Sequence, residues 1–172
     1  MDFFSEREFD PQSISAFFKK VEKKAGIQSV EYEQSFNHNL FFLDIGSDHI
    51  KTEFTYFPFS RIEQGTNVGE LAVDSLLDIA VNKLFTIHQK PRSRDFIDLY
   101  CILQKEKGWN IDELAKKAQI KFDHFLDPIQ LSGQFVKAEI LKDPKMLVPL
   151  EKNIWQNFFR DEAKRLVKTQ LE

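Results

Sequence analysis

The pattern of apolar and polar positions changes period twice along the chain. Ile14, Phe17, Phe18, Val21 and Ala25 recur at helical spacing, so one face of a helix should be buried there. Asp10-Pro11 supplies its start: a side chain that can accept from free amides, then a proline at the first helical position, where no donor is lost. Gly26 supplies a left-handed stop. Lys19, Lys20, Lys23 and Lys24 cover the other side and read as a solvated face near the helix C-terminus. From Ser29 to Phe59 the period becomes two. Three strands follow, about 29–36, 39–45 and 49–57, the last two joined at Gly46-Ser47-Asp48 as an antiparallel hairpin. In the third strand Ile50, Thr52, Phe54 and Tyr56 share one face. Lys51, Glu53, Thr55 and Phe57 share the other, with Glu53 on the more polar side.

Residues 60–72 carry Gly65, Asn67 and Gly69 and read as a loop with a short extended piece near 68–72. After it the period returns to helical. A helix opening at Asp74 or Ser75 is apolar on more than one side, through Leu76, Leu77, Ile79, Ala80, Leu84, Phe85 and Ile87. Lys83 interrupts it, and such a lysine either snorkels to the surface, the commoner fate, or points into a pocket. A basic loop over 88–93 leads into a second helix. There Asp95 and Asp98, three apart, share a face, and Arg94 is spaced to reach Asp98. Gly108 is the expected stop of this helix. A short helix over 110–118, with Asn110 and Glu113 at capping-box spacing, a stretch over 124–141 broken at Asp127-Pro128, and a final amphipathic helix complete the chain. The last, with Leu150, Ile154, Trp155, Phe158, Phe159, Leu166 and Val167, should pack back on the core or on another subunit.

The predicted fold class is therefore α+β: a small mixed or antiparallel sheet flanked by helices, followed by a helical region. The expected division is 1–72 and 73–172. Composition agrees with a packed protein, 42% hydrophobic and 30% charged. Eighteen phenylalanines imply an aromatic core, and a formal charge of −3 gives no global attraction to nucleic acid or anionic membranes. Lone Cys101 excludes an internal disulfide and, lying in the apolar run from Leu99 to Leu103, reads as core packing in a reducing, cytoplasmic compartment. His38, His49, His88 and His124 lack metal-ligand spacing. No glycine-rich phosphate loop, nucleophile elbow or RNA-recognition signature is present. On residues alone, Asp2 reads as a frayed terminal residue beside Phe3 and Phe4, and Glu53 as a solvent-facing ion pair with a lysine.

One stretch carries more. Leu77-Asp-Ile-Ala-Val-Asn-Lys-Leu followed by Arg94-Asp-Phe-Ile-Asp-Leu-Tyr resembles the signature of the AbiEii/AbiGii-type nucleotidyltransferases. These are minimal members of the polymerase-beta-like superfamily, often the toxin half of toxin–antitoxin or phage-defence pairs. The family pattern is roughly leucine-x-aspartate-isoleucine, lysine-leucine, then arginine-aspartate-x-x-aspartate-leucine. Ile50-Lys-Thr-Glu-Phe-Thr-Tyr-Phe-Pro is similar to the family strand that carries an acid and ends in proline. Met1-Asp-Phe-Phe-Ser-Glu is similar to the end of its first motif.

The resemblance implies that Asp2 and Glu53 are metal ligands and that Lys83 lies near the nucleotide phosphates. It makes Asp95 the motif aspartate that assists catalysis, supported by Arg94 and Asp98, with Lys83 and Arg94 serving the nucleotide. The implied cofactors are magnesium in a two-metal arrangement and a nucleoside triphosphate, from which a nucleotide passes to RNA or protein. The implied partners are a cognate antitoxin and, across an unpaired sheet edge, a second copy of the chain. The family's first motif begins upstream of the residue matched by Asp2, with a strand, a glycine turn and another aspartate. The 172-residue chain is thus expected to be inactive or weak as a transferase. The competing reading is a non-catalytic module that keeps the fold and binds a partner through the phenylalanine-rich hairpin or the last helix.

Overall fold

A computed structural model describes residues 1–142 and 144–171. The chain forms two compact units, Met1–Ser60 and Arg61–Glu172; the sequence reading divides it after residue 72. The fold class is α+β, as expected.

In the first unit β1 (Asp2–Ser5) precedes α1 (Pro11–Ala25), and then come β2 (Ser29–Ser35), β3 (His38–Ile45) and β4 (Asp48–Tyr56). The sheet order is β1-β4-β3-β2. β2, β3 and β4 form an antiparallel meander, and β1 lies parallel to β4. Strand period alone divides the sheet into two faces. Phe41, Leu43 and Phe54 point toward α1, where they pack with Ile14, Phe18 and Val21. Phe18 is the hub, its ring 5.3 Å from that of Phe41 and 6.3 Å from that of Phe54. The apolar arc of α1 is narrower than its sequence suggests: Phe17, one step off the Ile14–Phe18–Val21 line, is 57% exposed. The ends of α1 are as read. Asp10 accepts from the Gln12 amide at 2.9 Å, and Gly26 takes φ 69°.

The second unit opens with a two-stranded ribbon, β5 (Asn67–Val68) and β6 (Leu71–Ala72). The helices α2 (Leu76–Gln89), α3 (Ser93–Lys105), α4 (Ile111–Phe122), α5 (Pro128–Val136) and α6 (Ile154–Leu171) follow, with a 3-10 turn at Lys137–Ile140. α3 ends at Lys105 with Glu106 as its cap, before Gly108, because the chain is already turning toward Trp109. α6 takes the first of its two expected fates. Phe159 meets Phe96 of α3 edge-on at 4.8 Å, Trp155 stacks on it at 5.8 Å, and Phe159 meets Phe135 of α5 at 5.0 Å. Four rings with almost no access to water contribute on the order of 1.5–3 kcal/mol each, which fixes α3 against the bundle.

α2 buries Ala80, Val81, Leu84 and Ile87 and is fixed by charge as well. Asp78 is fully buried, and every lone-pair direction is used. Its Oδ1 accepts from Lys121 Nζ at 2.6 Å and the Ile62 amide at 2.9 Å. Its Oδ2 accepts from Ser75 Oγ at 2.8 Å and the Glu63 amide at 3.2 Å. Burial alone would raise its pKa; Lys121, the two amides and Ser75 together pull it below the ordinary carboxylate value. One side chain thereby ties loop 61–63, the start of α2 and the end of α4 together. Gly65 in the same loop has no alternative residue, since a Cβ there would stand 1.9 Å from the Val73 carbonyl oxygen.

Asp78→Ala removes the carboxylate that faces the Lys121 ammonium at 2% exposure. It should cost about 3–5 kcal/mol, read as a lowered midpoint in urea, whereas Asp161→Ala, on the exposed side of α6, should leave the midpoint within error.

Candidate active site

Two groups of side chains, one in each unit, match the residues singled out above. In the first unit Asp2 and Glu53 are register partners on the parallel pair β1–β4, so their side chains leave the same face of the sheet. That face is opposite to the one α1 covers. Asp2 is therefore a strand residue and not a frayed end. Glu53 is more than a lysine's partner. His38 Nδ1 lies 2.6 Å from Oε1 and Lys51 Nζ 3.5 Å from Oε2. Burial pushes the Glu53 pKa up, but the hydrogen bond and charge of His38, helped by Lys51, outweigh it and hold the carboxyl below its usual range. His38 is a residue that the sequence reading dismissed. The signal was present: a hairpin turning at Gly46-Ser47 pairs Ile45 with Asp48, and counting back sets Leu40 opposite Glu53 and His38 one diagonal step away.

In the second unit Lys83 neither snorkels fully nor enters an apolar pocket. Its side chain is 27% exposed and its Nζ meets Asp95 Oδ1 at 3.0 Å and Asp98 Oδ2 at 2.6 Å. Burial would depress the lysine; Asp98 and then Asp95 more than compensate, and its pKa is raised, so the ammonium is firmly charged at neutral pH. Asp95 is 3% exposed and gives its other oxygen to Arg92 Nε at 3.1 Å. It stands in the first turn of α3, where the free amide end favours a carboxylate. Arg92 is thus the arginine on Asp95, and Lys83 is the cation on Asp98. The expected Arg94–Asp98 pair gives way because Lys83 arrives from α2, while Arg94 remains exposed on the outer side of α3.

The same outer stripe corrects Cys101. It is exposed, not core, because α3 buries Leu99, Tyr100, Ile102 and Leu103 while turning Asp98, Cys101 and Lys105 outward. A five-residue apolar run is wider than the arc a helix can bury. Burial of its inner side, with the charge of Asp98, still pushes the thiol up from its ordinary value. Among the described residues no cluster of three or more His, Cys, Asp or Glu side chains is arranged to hold a metal ion. His88 and His124 approach to 5.5 Å between ring centroids, yet His88 is buried at the end of α2, 2% exposed. No helix among the described residues is long and apolar enough to cross a membrane.

An α+β chain with acids paired across a parallel strand pair and a lysine clasped by two aspartates has the architecture of a nucleotidyltransferase-like protein. The family model described as "Nucleotidyl transferase AbiEii toxin, Type IV TA system" matches residues 1–169, and the chain belongs to that family. An uncharacterized protein of Aquifex aeolicus (strain VF5) is 29% identical over 123 residues, 70% of this chain and 56% of its own length. The chain thus spans a little over half of that relative. The crystal structure of JHP933 from Helicobacter pylori is similar in fold, with a TM-score of 0.55 and 16% identity, over 98% of this chain and 75% of that one.

The histidine geometry carries a pH dependence. Burial first, and the charge of His124 second, lower the His88 pKa below its ordinary 6.5, against Asp127 and Gln130, which raise it. The unfolded chain therefore takes up a proton below about pH 6.5 that the folded chain refuses. Stability should be full above about pH 7 and fall as pH drops through that range. Thermal unfolding between about pH 7.5 and 5.5 should show a shallower slope for His88→Gln than for the parent protein.

Proposed function

We propose that this chain carries the nucleotide-handling part of a metal-dependent nucleotidyltransferase, which when complete moves a nucleotide from a nucleoside triphosphate to an RNA or protein acceptor as the toxin of a toxin–antitoxin pair. The observation that carries this reading is Lys83, a half-sheltered ammonium kept charged by Asp95 and Asp98 beside a loop holding Lys90 and Arg92. Such a group is a point charge for a phosphate oxygen. In the transfer, an acceptor hydroxyl oxygen bonds to the α-phosphorus and gives its proton to water, the bond from that phosphorus to the bridging oxygen breaks, and pyrophosphate carries the electrons away. Lys83 serves the phosphate charge in this scheme. Asp95, with one oxygen on Lys83 and the other on Arg92, suits holding and orienting the lysine better than accepting the acceptor's proton. Arg94, exposed at the start of α3, is free to meet an incoming nucleotide from solvent.

The donor set suits magnesium. Asp2 and Glu53 offer hard oxygens from one sheet face, and Mg2+ commonly takes one or two carboxylates, filling its shell with water and phosphate oxygens. Glu53 would have to loosen from His38 to serve. An ion held there would supply positive charge for phosphate oxygens. An antitoxin partner follows from family membership and is proposed on that ground alone.

Calorimetric titration of the purified chain with a nucleoside triphosphate and Mg2+ tests the reading. Lys83→Ala should lose a charged hydrogen bond of about 1.5–3 kcal/mol, roughly 10- to 100-fold in affinity. Glu53→Gln and Asp2→Asn should reduce the dependence on Mg2+. Equal binding by the parent and Lys83→Ala would remove the phosphate role, and capture of a partner protein without any nucleotide binding would favour the non-catalytic module.

A further inference from the structure

The two carboxylates on Lys83 are not equivalent. A lysine ammonium has three N–H donors; here one reaches Asp95 at 3.0 Å and another reaches Asp98 at 2.6 Å. Asp95 is 3% exposed and shared with Arg92. Releasing it would leave a buried carboxylate with Arg92 as the only partner of its charge among these contacts. Asp98 stands one helical turn further along α3, 49% exposed, on the outward stripe that also carries Arg94 and Cys101. An ion pair so open to water contributes little and is readily exchanged. The shorter contact is therefore with the carboxylate that can leave at least cost.

We propose that Asp98 is a built-in competitor for phosphate: it occupies the solvent side of Lys83 in the empty protein and is displaced by an oxygen of a polyphosphate, while Asp95 stays in place. The inference rests on the phosphate role given to Lys83 above. Lys83 and Arg92 carry two positive charges and Asp95 and Asp98 two negative ones, so the resting cluster is neutral. Turning Asp98 outward leaves one net positive charge facing the incoming anion. The same carboxylate sets a threshold. A monophosphate competes as a single untethered group with an anion already tethered to the helix, whereas a triphosphate brings several phosphoryl groups that also meet the adjacent basic loop.

Inorganic tripolyphosphate, titrated without metal into the full chain, is the probe. Asp98→Asn and Asp98→Ser, which remove the charge with different side chains, should each bind it roughly 3- to 10-fold more tightly, the effect of one charge a few ångströms away near water. They should also narrow the preference for tripolyphosphate over orthophosphate. Asp98→Glu, which keeps the charge, should restore the parent affinity, and Lys83→Ala should abolish binding. A merely structural Asp98 would weaken binding when replaced, so the sign decides. Unchanged or weaker binding in both charge-removing variants, with Lys83→Ala inactive in binding, overturns the competitor role and leaves the phosphate role standing. Lys83→Ala binding like the parent, or no binding by any of the proteins, overturns both.

Discussion

A carboxylate with no access to water must have its charge answered from within the protein, and Asp78 is answered by Lys121 and by three further donors from two segments. Replacing such a pair with apolar side chains of similar volume often costs nothing, so its value lies less in net stability than in excluding other arrangements. Only one rotation of α2 brings Asp78 to the Ile62 and Glu63 amides and to Lys121 together. That rotation also sets where Lys83 emerges, five residues and less than one and a half turns later. The lysine proposed to meet phosphate therefore inherits its direction from a buried charge that meets nothing outside the protein.

In the second unit the ion pairs of Lys121 and of Lys83 thus have opposite degrees of enclosure. Lys121–Asp78 is sealed, at 2% and 0% exposure. Lys83 is 27% exposed, and of its two aspartates one is buried and the other half in solvent. The chemistry of the groups is the same, but the first pair can hold only a fold together. The second can exchange a partner without exposing a bare charge to an apolar interior. That asymmetry, more than the presence of lysine and aspartate, makes the head of α3 a candidate for function.

Local signals were legible and non-local ones were not. The caps at Asp10, Ser75 and Asn110, the glycine stop at Gly26 and the period-two strands all act within a few residues, and each stands where the sequence places it. Asp78 was visible only as one letter of a motif, because its partner Lys121 lies 43 residues away and nothing near either residue announces the pairing. Lys83 was ambiguous for the same reason: its fate depended on a second helix. Cys101 was misread because a run of apolar residues says nothing about which of them a helix turns outward. Arg92 and Arg94 differ by two positions, and that shift places them on different sides of the helix start.

In the first unit the constraint is geometric. α1 covers one face of the sheet, so β4 must send Thr52 and Phe54 inward and leave Lys51, Glu53 and Thr55 on the other side. Parallel pairing of β1 then brings Asp2 opposite Glu53, whatever the chemistry of either side chain. Phe3 is committed in the same stroke to the covered face, where its ring stacks on Phe54 at 4.8 Å. A slip of one residue in β1 would send Asp2 toward the aromatic core and Phe3 away from it, at a cost in buried apolar surface and in a desolvated charge. The acid pair is therefore held in register by the phenylalanine behind it. The aromatic richness that looked like mere core composition is what keeps two carboxylates side by side.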